Sequence, residues 1–308
     1  MNTILKGLTH EQWLEERSKG LGSSEVGTLM GVNPYETPYQ LWRRKKGLDK
    51  QKEENFLMTA GHYLEPAVAQ FWQDATGKEI IKSSAGDWIV YDNDKPYLRV
   101  SPDRTFWADG KREKGILECK TTQKDIDKED IPRYWFCQVQ YQLGVAQMQQ
   151  GSLAWLCSGR KFDYQDIKFN PDFYGVLVEE ISKFWTDYII GNKEPQISSV
   201  DDLLIKYPQE TKDKEIEADT DIKTAYDKLT SLRSEIKRLE EEENKQEELI
   251  KMTFLDAERL TYQGKTLATW KKSKATTKFD AKTFQKDNPE LAERYMITSE
   301  GSRRFLIK

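Results

Sequence analysis

The sequence predicts an α/β protein: a mixed β-sheet flanked by helices, followed by a helical, short coiled-coil-like segment and an α+β C-terminal extension. Three observations carry this. Between residues 80 and 121, short β-branched and aromatic runs alternate with Gly, Asp, Asn and Pro. Apolar residues recur at helical spacing on either side of that stretch. Beyond residue 228, Leu229, Leu232, Ile236 and Leu239 follow the 3–4–3 spacing of a coiled-coil seam. A chain of 308 residues with 37% hydrophobic content can bury a sizeable core.

Residues 9–19 read as a helix capped by Thr9, with Glu11 and Glu15 early in it. Gly20 and Gly22 interrupt the chain, and Ser23-Ser24-Glu25 opens a second helix ending near Gly31. Asn33-Pro34 marks a turn, and Thr37-Pro38 starts a third helix. A helix over 54–75 carries Leu64, Val68, Phe71 and Trp72 on one stripe, and Pro66 is expected to break or kink it near Glu65. Strands are expected at 80–81, 88–91, 97–100, 104–107 and 115–121. A helix follows Pro132, two strands cover 152–157 and 162–169, and a long helix spans 171–190. These elements place one domain at 1–195. A linker and acidic helical segment at 196–260 and a basic tail at 261–308 complete the chain.

The seam reaches Glu243 and Gln246 after Leu239, so it is short, and a two-helix hairpin or a helix packed on its own neighbours is at least as good a reading as a long coiled coil. Charge divides at the same place. Residues 211–258 hold 15 acidic and 9 basic residues, whereas residues 261–308 hold 5 acidic and 11 basic. The tail restarts with strands around 262–270, then a basic helical stretch.

Composition prunes the chemistry. There are two histidines, His10 and His62, and three cysteines, Cys119, Cys137 and Cys157, with no C-x-x-C pair. A cysteine-based zinc or iron–sulfur site is thereby excluded, as is a nucleophile–histidine hydrolase of familiar pattern. No apolar run approaches the length of a membrane span and no secretory signal is legible, so a cytoplasmic location is expected. What remains is chemistry of Asp, Glu, Lys and a hard cation.

Ser101-Pro-Asp103 precedes Glu118-Cys-Lys120, with Gly110 in a turn between them. Two adjacent antiparallel strands would bring Asp103 beside Glu118, and strand alternation puts Glu118 and Lys120 on one face with Cys119 on the other. Two carboxylates can hold Mg²⁺ through oxygen, and a lysine can orient water or offset phosphate charge. Trp13, Trp42, Trp72 and Trp135 read as core aromatics, and His62 as a partly buried structural histidine.

Trp13-x-x-x-Arg17, Gly22-Ser-Ser-Glu25, Gly61-His-Tyr-Leu-Glu65, Ser101-Pro-Asp103, Glu118-Cys-Lys120 and Cys137-Gln-Val-Gln-Tyr141 occur in that order. Together they resemble the phage lambda exonuclease family, or YqaJ-type viral recombinases, over roughly residues 8–190. The resemblance implies the restriction-endonuclease-like PD-(D/E)XK fold and Mg²⁺-dependent (or Mn²⁺-dependent) 5′→3′ digestion of one strand at double-stranded DNA ends. It implies a homo-oligomeric ring, trimer or tetramer, that hands the exposed strand to a phage single-strand annealing protein in a bacterial host. By the same resemblance, Asp103, Glu118, the Cys119 backbone carbonyl and Glu65 hold metal, Lys120 is the catalytic lysine, and Gln138 lies at the rim. Arg17, Ser24 and Ser101 form a pocket for the 5′-terminal phosphate, and Met58 stands where the family has an apolar wedge. Two other readings stand beside it: an endonuclease of the same fold, and a non-catalytic DNA-binding or assembly module. The chain continues past the lambda-type enzyme by more than 100 residues, so the acidic segment and basic tail lie outside that match.

Overall fold

A computed structural model describes residues 2–49, 55–81, 88–110, 112–298 and 301–307. The chain divides into two compact units, one ending at Tyr207 and one beginning at Pro208. Among the described residues no helix is long and apolar enough to cross a membrane.

The first unit opens with strand β1 (Asn2–Leu5) and three short helices, α1 (His10–Ser18), α2 (Ser23–Leu29) and α3 (Pro38–Lys45). Thr9 and Thr37 accept from the amides of Gln12 and Gln40, and each glutamine closes a capping box. Helix α4 (Phe56–Thr76) follows, then β2 (Ile80–Ile81), β3 (Ile89–Asp92), β4 (Arg99–Val100), β5 (Arg104–Asp109) and β6 (Glu113–Thr122). Helix α5 (Arg133–Ala146), the hairpin β7 (Gln150–Cys157) and β8 (Lys161–Lys168), and helix α6 (Pro171–Phe184) with a terminal π-helical turn (Trp185–Ile190) complete the layers.

The main sheet has the order β2-β5-β6-β7-β8. Its pairs are antiparallel except β6–β7, which is parallel and is joined by the α5 crossover. A second sheet, β1-β3-β4, packs at the N-terminal side. This is the mixed sheet flanked by helices that the sequence calls for. Strand β1 is additional: four residues give too little periodicity to read, and their partners in β3 lie more than 80 positions away.

Helix α5 is buried on nearly every side, from Trp135 to Val145. One face meets Ile116, Leu153 and Trp155 of the sheet, and another meets Leu21, Val26, Leu177 and Ile181. Its approach to α2 is close enough that a Cβ at Gly27 would lie 2.6 Å from that of Tyr134. That contact joins the second half of α2 to the first turn of α5, while Ser23 at the start of α2 meets Gln142 further along it. On the far side of the sheet, Val68, Ala69 and Trp72 of α4 pack against Phe106, Leu117 and Ala154.

Several expectations are corrected. Helix α4 runs unbroken through Pro66. The carbonyl of His62 loses its amide donor there, but the buried turn at Val68, Ala69 and Trp72 anchors the helix beyond it. Within its stripe only Val68 and Trp72 are buried, while Leu64 and Phe71 face solvent. The first residue of that expected helix, 54, lies outside the described residues. His62 is exposed, not partly buried. The first unit runs past residue 195 to Tyr207, because Asp202 of helix α7 (Val200–Lys206) is fully buried and accepts from the Thr37 hydroxyl at 2.7 Å.

The second unit contains helix α8 (Thr220–Phe254), the hairpin β9 (Arg259–Tyr262) and β10 (Lys265–Thr269), and two short helices, α9 (Ala281–Asp287) and α10 (Pro289–Glu293). Helix α8 is a single 35-residue rod and not a helical hairpin. No Gly or Pro occurs anywhere between 220 and 254 to turn the chain back.

Candidate active site

Strands β5 and β6 pair antiparallel with Arg104 opposite Leu117, which brings Asp103 to the level of Glu118. One Asp103 carboxylate oxygen accepts the Cys119 backbone N–H at 2.8 Å. Strand alternation acts as expected next to it. Cys119 turns into the apolar layer with Leu117 and Phe106, while Glu118 and Lys120 share the other face.

Glu118 is almost completely buried, and both of its oxygens are held. Lys120 Nζ donates to Oε1 at 2.7 Å, and Gln138 Nε2 donates to the same oxygen at 2.5 Å. Lys120 also donates to Gln138 Oε1 at 2.9 Å, closing a triangle. Gln142 Nε2 takes the other oxygen, Oε2, at 2.7 Å and lies 3.2 Å from Ser23 Oγ. Glu65 comes from α4 on the opposite side and accepts from Arg104 at 2.6 Å, and the same guanidinium nitrogen donates to the Asp103 carbonyl.

The electrostatics of this cluster are unbalanced. Burial, then the charges of Glu118 and Glu65, push the Asp103 carboxyl well above its usual range against the pull of Lys120. Burial also raises Glu65, with Arg104 opposing and Glu118 adding to the rise. For Lys120 burial acts downward, but Glu118 and Asp103 outweigh it and keep the ammonium protonated. Burial and the same carboxylates push the Cys119 thiol up, which leaves it an inert thiol.

A second cluster lies at the α1–α2 junction. Arg17 Nη2 donates to Ser24 Oγ at 2.9 Å, and its guanidinium lies 4.9 Å from the Trp13 ring centre. Trp13 Nε1 donates to Ser101 Oγ at 3.1 Å, and Ser101 donates to the Trp88 carbonyl at 2.8 Å. Arg17, Ser24 and Ser101 are therefore linked through Trp13. That tryptophan is half-buried in this cluster and is not a core aromatic. Beneath it, buried Glu25 meets Arg44 and Lys45, each at 2.9 Å, and accepts the Gly22 N–H.

The expected metal-binding, catalytic and phosphate-binding residues thus fall in two neighbouring clusters, joined where Gln142 reaches both Glu118 and Ser23. Gln142 and Arg104 are the members that sequence reasoning missed. Gln142 was signalled by its i+4 spacing from Gln138, which places both on one helix face. Gln140, between them, bonds instead to the Lys168 carbonyl and the Asn170 amide.

The donor chemistry suits a hard cation: carboxylates and a backbone carbonyl, with the charges of Glu118 and Glu65 adding to burial in raising Asp103. Among the described residues no three His, Cys, Asp or Glu side chains are gathered into a ready-made cation cage. Arg104 draws Glu65 aside, and Lys120 with the two glutamines holds Glu118.

Residues 12–149 match the family model of the YqaJ-like viral recombinase domain. A curated relative, the uncharacterized protein YqaJ of Bacillus subtilis strain 168, is 27% identical over 98% of this chain and 95% of its own length. An alkaline exonuclease from Laribacter hongkongensis is similar at a TM-score of 0.47 and 16% identity, covering 59% of this chain and 93% of its own. A phage-related exonuclease of Haemophilus somnus 129PT gives 0.42 and 11%, covering 56% and 96%.

Proposed function

We propose, from the match of residues 12–149 to the model of the YqaJ-like viral recombinase domain, that the chain is a Mg²⁺-dependent exonuclease. It digests one strand of linear duplex DNA in the 5′→3′ direction and exposes the other for recombination by strand annealing. The observation that carries this reading is the meeting of Asp103, Glu118 and Lys120 of the sheet with Gln138 of α5, with Arg17, Ser24 and Ser101 gathered beside them.

Asp103, Glu118 and the Cys119 carbonyl would hold the cation, with Glu65 joining once it exchanges its Arg104 contact. When bound, a divalent cation supplies an activated water and neutralises charge on the scissile phosphate. Lys120 keeps its proton on Nζ and places a positive charge where the attacking water and the pentavalent phosphorus develop negative charge. Gln138 and Gln142 hold the Glu118 carboxylate in one orientation, so the site needs little rearrangement as charge develops. Arg17 and the Ser24 and Ser101 hydroxyls bind the 5′-terminal phosphate, which sets polarity. Met58, 46% exposed near the start of α4, would splay the duplex end. The family likeness further supports a ring of three or four copies in the cytoplasm of a bacterial host, serving a phage annealing protein.

The test uses linear duplexes with 5′-phosphate or 5′-hydroxyl ends, labelled at either terminus, and a closed circle, with Mg²⁺ or with chelator. Release from the phosphorylated 5′ end, an intact circle and no reaction in chelator are expected. Cutting of the circle would favour an endonuclease, and no digestion under any condition would favour a binding module.

A further inference from the structure

Helix α8 presents an apolar seam that none of the described residues of its own unit covers. Leu232, Ile236 and Leu239 are 46%, 54% and 49% exposed although they stand on one face. The heptad extends beyond these three. Ile222, Leu229, Ile236, Glu243 and Ile250 recur every seven residues, with Ala225, Leu232, Leu239 and Gln246 three positions after the first four.

The charges beside the seam decide the orientation of a partner. From 220 to 238 the helix has 5 basic and 3 acidic residues, and from 239 to 254 it has 2 basic and 6 acidic. A parallel second copy would set like against like at three successive flanking positions: Lys228 against Arg233, Glu235 against Glu240, and Glu242 against Glu247. It would also stack Glu243 on Glu243 inside the seam. An antiparallel copy reverses the match and lays each basic half along an acidic half.

We propose that α8 is a self-association element that pairs antiparallel with α8 of a second copy of this chain, about a two-fold axis near residue 234. In this register Leu229 faces Leu239 of the second copy, and Ile236 faces Leu232. Lys228 then lies beside Glu242, a pair that occurs twice, while Arg233 and Glu235 each meet only their own counterpart, once, at the axis. Glu243 falls opposite the small Ala225, at the end of the apolar layers, where its carboxylate reaches water. The overlap covers residues 220–248, which is nearly the whole helix. The pairing joins copies in twos, whatever assembles around the first unit, and does not depend on the nuclease reading.

The test is disulfide mapping in the full-length chain. Variants L229C and L239C are oxidised mildly, alone and mixed, beside the unsubstituted chain, whose three cysteines are all buried. Within one helix these positions are about 15 Å apart, too far to bridge each other. A covalent dimer that forms in the mixture, and in neither variant alone, is expected. Dimers of L229C alone would mean parallel pairing and overturn the proposal, as would no cross-link in the mixture. As a second measurement, L232E/I236E should halve the sedimentation mass while leaving any DNA digestion unchanged. An unchanged mass would also overturn it.

Discussion

Asp103 and Glu25 are both acids of the first unit, the one half-buried and the other buried, yet their surroundings drive them in opposite directions. Burial alone would raise Glu25, but Lys45, Arg44 and Arg17 outweigh it and hold the carboxyl below the usual glutamate value of 4.5. Asp103 has Glu118 and Glu65 for neighbours, and it is pushed up. The Glu25 cluster is electrically complete and ties α2 to α3. The Asp103 cluster sets three carboxyl groups, Asp103, Glu118 and Glu65, against two cations, Lys120 and Arg104. The difference separates an acid that serves the fold from the acid that the proposed function assigns to a cation.

The largest effect should break the Asp103 cluster. D103N and K120A are each expected to lower digestion of a linear duplex by at least about 10²–10³-fold. The urea midpoint of D103N should stay the same or rise, because a like-charge contact is removed. A D103N protein that digests normally, or unfolds much more easily than the parent, would remove the distinction. The reverse is expected at the other cluster. E25Q leaves Lys45 buried without its anion and should cost about 3 kcal/mol in urea unfolding, with little loss of rate while folded.

The same contrast has a pH signature. The Glu25 carboxyl titrates lower in the folded chain than in the unfolded one, so its stabilisation is present above about pH 4.5 and lost as pH falls through the folded value. The stability gap between parent and E25Q should therefore hold from pH 7 to 5 and shrink below that. A gap that shrinks already between pH 7 and 6 would contradict the lowered value.

Smaller effects sharpen the link between the clusters. Q142A leaves one Glu118 oxygen without its donor, a loss of about 1–3 kcal/mol, and should slow digestion roughly tenfold or more. R17A removes a half-buried guanidinium on a short helix. It should change stability by less than about 0.5 kcal/mol while abolishing preference for 5′-phosphate over 5′-hydroxyl ends. Equal preference in parent and R17A would detach that pocket from end recognition.

The Asp103–Glu118–Lys120 group was legible because it depends on local rules: a short turn at Gly110 and two-residue alternation along β6. Gln138 and the Arg17–Ser24–Ser101 set came through the ordered motifs, since nothing local shows that residues 77 to 84 positions apart will meet. Gln142 was hidden in a run, Gln138-Val-Gln-Tyr-Gln142, where only the rotation of a buried helix separates its glutamines. Arg104 was hidden by the strand it starts, because its contact with Glu65 arises from the packing of α4. The unbroken course of α4 through Pro66 has the same origin: burial on the following turn outweighs one missing hydrogen bond. The absence of any helix breaker in 220–254 was there to be read and favours one rod over a hairpin.

The most direct test of the contrast between the two acids is a calorimetric titration of Mn²⁺ into the parent chain, D103N and E25Q, each confirmed folded by circular dichroism. The parent and E25Q should bind the ion with the same affinity, and D103N should bind at least about tenfold more weakly. Equal binding by all three chains would contradict the assignment of Asp103 to a cation site.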